Sequence, residues 1–205
     1  MTPGRVTVLF GRNGSGKSTL LRIIAGDLRA DWGAVHCNGD VHLRPRLASL
    51  ARRGLYYLQQ EPVLPDTFRV GEILRLAAGG PVPAEDPLLV RLGIGGLMDA
   101  RFPQLSGGEA RRAAVAAAIL RRPRWLLADE PLTGVTPADQ ELIGTVLREL
   151  ASRGTGVLVT GHEVPPLMGL ADEVVWCVAG TTHYLGDPGT AMANPRFARE
   201  YLGMQ

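Results

Sequence analysis

The sequence predicts an α/β fold, with a mostly parallel sheet, helices between its strands, and a small helical lobe inserted into it. Three observations carry that reading. Short apolar runs recur along the chain, each bounded by Gly or polar residues, as strands covered on both faces do. Helical apolar patterns lie between them. One middle stretch is instead broken repeatedly by Pro and Gly. Strands alternating with helices imply right-handed crossovers within one sheet. The length of 205 residues suits one domain carrying a small insertion. A chain of that size buries roughly 70% of its unfolded surface.

The first strand is predicted over Val6 to Phe10. Lys17 to Ala25 follows as a helix, with Leu20, Leu21, Ile23 and Ile24 on one side. Leu55 to Leu58, Trp125 to Ala128, Gly156 to Thr160 and Val174 to Val178 give four further strands. Glu109 to Leu120 reads as an Ala- and Arg-rich helix. Pro137 to Leu150 places Leu142, Ile143, Val146, Leu147 and Leu150 at helical spacing. From Pro62 to Gln104 the breakers leave room only for short helices, such as Val70 to Leu76 and Pro87 to Leu92. The expected division is a core of residues 1–61 and 115–205 around a helical lobe of 62–114.

Composition removes several classes. No run of about 18 apolar residues predicts a membrane-spanning helix, and the start lacks the apolar core of a signal peptide. A net charge of +2 gives no bulk-charge grip on nucleic acid. Cys37 and Cys177 have no metal-site spacing and read as two buried thiols. Of 22 basic residues, Lys17 is the only Lys. Arg serves elsewhere on this chain, so a retained Lys marks a place where a compact charge is wanted.

That Lys belongs to Gly11-Arg12-Asn13-Gly14-Ser15-Gly16-Lys17-Ser18-Thr19, which fits GxxxxGK[ST] between a predicted strand and a predicted helix. Glycines let successive N–H groups curl around phosphate oxygens, and the helix that follows points its positive end at them. Lys17 suits the β- and γ-phosphates, and the Ser18 hydroxyl suits Mg2+. The strand Trp125 to Ala128 ends in Asp129 and Glu130. Beside a phosphate loop, Asp129 is a candidate Mg2+ holder and Glu130 a candidate general base. Leu105-Ser106-Gly107-Gly108-Glu109 opens a helix, with Ser106 as N-cap. Its exposed helix-terminal N–H groups make Ser106, Gly107 and Gly108 a candidate second anion site.

Together these motifs resemble the ATP-binding cassette (ABC) ATPase subunit of a transporter. Phosphate loop, LSGGE signature and acid pair occur in that family's order, and the resemblance covers nearly the whole chain. It implies a P-loop NTPase core that uses ATP and Mg2+. It also implies a second copy, or a similar cassette, facing this one, with each signature closing on the other's ATP. A transmembrane permease subunit is the implied partner, which would hold the chain peripherally on the inner, cytoplasmic face of the cell membrane. Gln60 resembles the glutamine that contacts Mg2+ and the attacking water, and adjacent Gln59 is the less suitable register. His162 resembles the switch histidine that reaches the γ-phosphate; it follows a predicted strand's carboxyl end, the ligand side of an open α/β sheet.

Three departures stand out. The family carries about one more N-terminal β-hairpin, with an aromatic residue that stacks on adenine, whereas ten residues precede Gly11 here and none of Met1 to Leu9 is aromatic. Thr136 stands where the family has an Asp that helps couple the two sites, although Thr136 can cap the helix starting at Pro137. Ala117 replaces a common Arg. Phe68 and Leu74 are candidates for the permease groove, with packing inside the lobe as the plainer role. Gly134-Val135-Thr136-Pro137 and the ending through Tyr201-Leu202 resemble cassettes of branched-chain amino-acid importers and lipopolysaccharide exporters. Two other readings are a regulatory cassette with weak turnover and a soluble, non-transport ABC ATPase. Glu130 and His162 weigh against the first. The lack of coiled-coil insertions, zinc cysteines and basic arms weighs against the second.

Overall fold

The computed structural model describes residues 1–61 and 66–201, with side chains as far as Glu200. Pro62 and Pro65, among the expected breakers, lie outside the described residues, as do Leu202 and the tail beyond it. In chain order the elements open with β1 (Val6–Phe10), α1 (Lys17–Ala25), β2 (Val35–Cys37), β3 (Asp40–His42), α2 (Leu47–Arg52) and β4 (Leu55–Leu58). The lobe contributes α3 (Val70–Ala78) and α4 (Pro87–Arg91), and then α5 (Gly107–Leu120) leads to β5 (Trp125–Ala128). Next come α6 (Pro137–Ser152), β6 (Gly156–Gly161), α7 (Val164–Leu170) and β7 (Glu173–Val178). The described chain closes with β8 (Thr181–Gly186), α8 (Pro188–Ala193) and α9 (Pro195–Tyr201).

The main sheet runs β4-β5-β6-β1-β7-β8. Its first five strands are the five read from the sequence, and every pairing among them is parallel. The sixth, β8, pairs antiparallel with β7. It was not expected, because four of its six residues are exposed and it carries no apolar run. The β2–β3 hairpin was also missed, since it buries only Cys37. Its signal was the Asn38-Gly39 pair, whose φ of 54° and 86° form the left-handed two-residue turn that hairpins favour.

Apolar packing covers both faces of the sheet. On one, Val6, Val8 and Phe10 of β1 meet the Ala-rich α5 and the apolar stripe of α6. On the other, Leu9, Leu127 and Leu158 meet Leu21 and Ala25 of α1. The alanines explain one departure: Ala117 is 2% exposed, and an Arg in that place would need its charge paired or led out to water. In the lobe, Leu74 is fully buried while Phe68 is 38% exposed, so Leu74 is core and not groove surface. The same buried cluster runs from Val70 and Leu74 into the sheet. The expected division at 114/115 falls inside α5, one continuous helix that serves both parts.

Parallel strands put their carboxyl ends on one edge. Gly11 after β1, Asp129 after β5 and His162 after β6 therefore arrive together, beside the N-terminus of α1.

Candidate nucleotide site

The loop from Gly11 to Gly16 turns on Gly14 and Gly16, whose φ of 80° and 103° suit glycine alone. Gly11 is held closely, since a Cβ there would lie 2.9 Å from the Cys177 carbonyl oxygen. The floor of the loop rests on β7 and its turn: Ser15 O accepts from Gly180 N at 3.0 Å and from Cys177 Sγ at 3.1 Å.

Lys17 starts α1 and is 4% exposed. Its Nζ donates to Gly11 O at 2.8 Å and Arg12 O at 3.3 Å, and lies 3.3 Å from Glu130 Oε1. Three hydroxyls converge on Asp129. Ser18 Oγ donates to Oδ1 at 3.1 Å, Thr160 Oγ1 to the same oxygen at 2.6 Å, and Tyr57 OH to Oδ2 at 3.2 Å. Burial, followed by the negative field of Asp129, pushes the Tyr57 phenol well above its ordinary pKa.

Glu130 is 6% exposed and sits at φ 45°, a left-handed conformation that costs a non-glycine residue about 1–3 kcal/mol. Its N–H donates to Thr160 Oγ1 at 2.9 Å, so one hydroxyl accepts from Glu130 and donates to Asp129. Thr133 Oγ1 donates to Glu130 Oε2 at 3.1 Å. His162 Nδ1 stands 3.6 Å from the same oxygen, longer than a hydrogen bond, and is buried with no other partner. His162 directly follows β6, which runs one residue longer than expected, to Gly161.

These groups frame a cleft of about 380 Å³. Asn13, Gly14, Gly16, Lys17, Ser18 and Thr19 line one side, and Gln60, Glu130, Thr133 and His162 the other. Gly11 and Ser15 lie outside that lining, as does Asp129 behind Ser18. Thr133 was not among the expected site residues; its signal was its place one turn beyond Glu130. Ser106, Gly107 and Gly108 do not reach this cleft. Ser106 caps α5 as expected, with its side chain and that of Glu109 bonded reciprocally. Thr136 likewise caps α6 through Asp139 N at 3.2 Å. A groove of about 430 Å³ between α6 and α7 is larger, but no glycine-rich phosphate loop lines it.

The residues present fit a magnesium nucleotide. Ser15 Oγ is buried and without a partner, in a loop whose glycines leave backbone N–H groups open to phosphate. Ser18 and Asp129 offer hard oxygen donors. Mg2+ keeps water and substrate phosphate in its shell, so it needs only one or two such oxygens from the protein.

Removing the Thr160 hydroxyl strips Glu130 N of its acceptor and Asp129 of its shortest donor. Thr160→Val is expected to lower unfolding stability by about 1–3 kcal/mol and to lower ATP turnover, while Thr160→Ser retains both. Urea denaturation and phosphate release check this. A Val variant equal to wild type in both would contradict it.

The family model for ABC transporters matches residues 1–133. A probable ABC transporter ATP-binding protein of Azorhizobium caulinodans is 35% identical over 98% of this chain and 74% of its own length. The chain belongs to the ABC transporter family. It is an ATP-binding, ATP-hydrolysing cassette subunit of that family. The lipopolysaccharide export ATP-binding protein LptB of Acidithiobacillus ferridurans is 33% identical over 98% of the cassette and 87% of its own chain. The zinc import ATP-binding protein ZnuC of Alcanivorax borkumensis is 33% identical over 96% and 73%. A solved ATP-binding cassette of an ABC transporter superposes with a TM-score of 0.83 at 25% identity, covering 98% of this chain and 89% of that one. No helix among the described residues of the cassette is long and apolar enough to cross a membrane.

Proposed function

We propose that this cassette binds MgATP in the cleft between the phosphate loop and Glu130, and that its hydrolysis drives a membrane permease. The supporting observation is the meeting of Lys17, Ser18, Gln60, Glu130 and His162 around one cleft. Gly11, Asn13, Gly14, Ser15, Gly16 and Thr19 belong to the phosphate cradle, and the Lys17 ammonium pairs with the β- and γ-phosphates. Ser18, Asp129 and Gln60 hold Mg2+, which when bound supplies positive charge against the phosphate oxygens. Glu130 takes a proton from the attacking water. His162 steadies the terminal phosphate. Ser106, Gly107 and Gly108, opening α5, meet the nucleotide of a second copy or similar cassette, because they stand away from this chain's own cleft. Residues 62–114 form the lobe that docks the permease, which holds the cassette on the inner face of the membrane.

Relatives at equal identity carry different cargoes in their names. The Gly134-Val135-Thr136-Pro137 loop supports the group formed by branched-chain amino-acid importers and lipopolysaccharide exporters.

The test is equilibrium binding of a fluorescent ATP analogue, with and without Mg2+, together with phosphate release. Micromolar binding with Mg2+-dependent turnover is expected. Binding without turnover would favour a regulatory cassette, and neither would overturn the reading.

A further inference from the structure

Two adjacent side chains in the first turn of α6 face different parts of the molecule. Asp139 faces the helix that carries the signature. Its Oδ1 accepts from Arg112 Nη1 at 2.6 Å, and its Oδ2 accepts from Thr136 Oγ1 at 2.9 Å. Asp139 and Arg112 are mostly buried, at 14% and 17% exposure. The same guanidinium reaches the lobe, where Arg112 Nε donates to Leu92 O at 2.7 Å. Gly108 is part of this contact: a Cβ there would lie 3.1 Å from Asp139 Oδ2.

Gln140 faces the loops that follow Glu130 and His162. Its Nε2 donates to Leu132 O at 3.0 Å and to Glu163 Oε2 at 3.1 Å. Leu132 adjoins Thr133, which bonds Glu130, and Glu163 adjoins His162. A single turn of helix therefore fastens the Glu130 loop and the His162 loop on one side, and the signature helix and lobe on the other. The Arg112–Asp139 pair is charge-assisted and sheltered, so it holds its geometry better than a surface pair would. The Asp139 carboxyl is held below its usual range: burial raises it, but hydrogen bonds from Thr136 and Arg112 outweigh that.

We propose that Asp139 and Gln140 are positioning residues which lock the signature helix to the Glu130 and His162 loops within one chain. Neither touches substrate. They act by fixing the place of Glu130 and His162 relative to Ser106–Gly108, so that movement of the lobe reaches the hydrolytic groups. This rests on the ATPase reading above.

The experiment compares wild type with Asp139→Ala, Gln140→Ala and the double variant, measuring kcat, KM, affinity for a fluorescent ATP analogue, and melting temperature. Each single change is expected to lower kcat tenfold or more, with analogue affinity within twofold and melting within a few degrees. The double variant is expected to be no slower than the slower single, because either break opens the same link. Asp139→Asn, which keeps one acceptor for Arg112, is expected to recover part of kcat. Wild-type kcat in the single variants would overturn the proposal, as would losses of turnover, affinity and melting temperature that run in parallel. A wild-type chain with no ATPase activity would overturn this proposal and the reading beneath it together. Active single variants would sink this proposal alone.

Discussion

Glu130→Gln is expected to lower ATP turnover by about 10²–10⁴-fold, the usual share of a positioned general base, while leaving nucleotide binding intact or tighter. The substitution keeps the size of the side chain and its ability to accept from Thr133. It removes the negative charge and the capacity to take a proton. In the structure one Glu130 oxygen lies 3.3 Å from Lys17 Nζ, so the carboxylate competes with phosphate for that ammonium. Without the charge, Lys17 is free for phosphate, and no carboxylate repels the terminal phosphate. The variant should therefore accumulate ATP-bound protein, read as an ATP-dependent increase in size by gel filtration or light scattering. Phosphate release at the wild-type rate would remove Glu130 from the role of base.

The parallel core was legible because burial on both faces leaves continuous apolar runs. β1, β4 and β5 have the expected limits. The phosphate loop was legible because its chemistry needs glycines and one Lys at fixed spacing. What stayed hidden has weaker demands on side chains. β8 and the β2–β3 hairpin expose most of their residues, so backbone pairing and a turn define them more than hydrophobicity does. Within the site, the left-handed Glu130 and the Thr160 hydroxyl that joins the two acids are products of tertiary contact between residues 30 positions apart. No local pattern announces them. Asp139 and Gln140 read as ordinary polar residues in a helix's first turn, and only the packing of α5 and the Glu130 loop against that turn gives them partners.

Lys17→Ala is expected to lose nucleotide and to destabilise the empty cassette as well. The two losses have separate origins. Affinity falls because the point charge that reaches the phosphates is gone; a hundredfold loss corresponds to about 2.8 kcal/mol. Stability falls because Glu130, 6% exposed, loses its nearest cation, and breaking one side of a buried ion pair costs about 3–5 kcal/mol. The Gly11 and Arg12 carbonyls lose their donor in the same change. Lys17→Arg is no rescue, because a planar fork of five donors does not fit where one small ammonium makes these contacts. The double variant Lys17→Ala with Glu130→Gln separates the terms. It leaves no unpaired buried charge, so its urea midpoint should return towards wild type, while nucleotide affinity stays lost. If the single Lys17→Ala variant bound the ATP analogue with wild-type affinity, the phosphate role of Lys17 would be wrong. If the double variant were no more stable than the single, the buried pair would not be what holds the loop to Glu130.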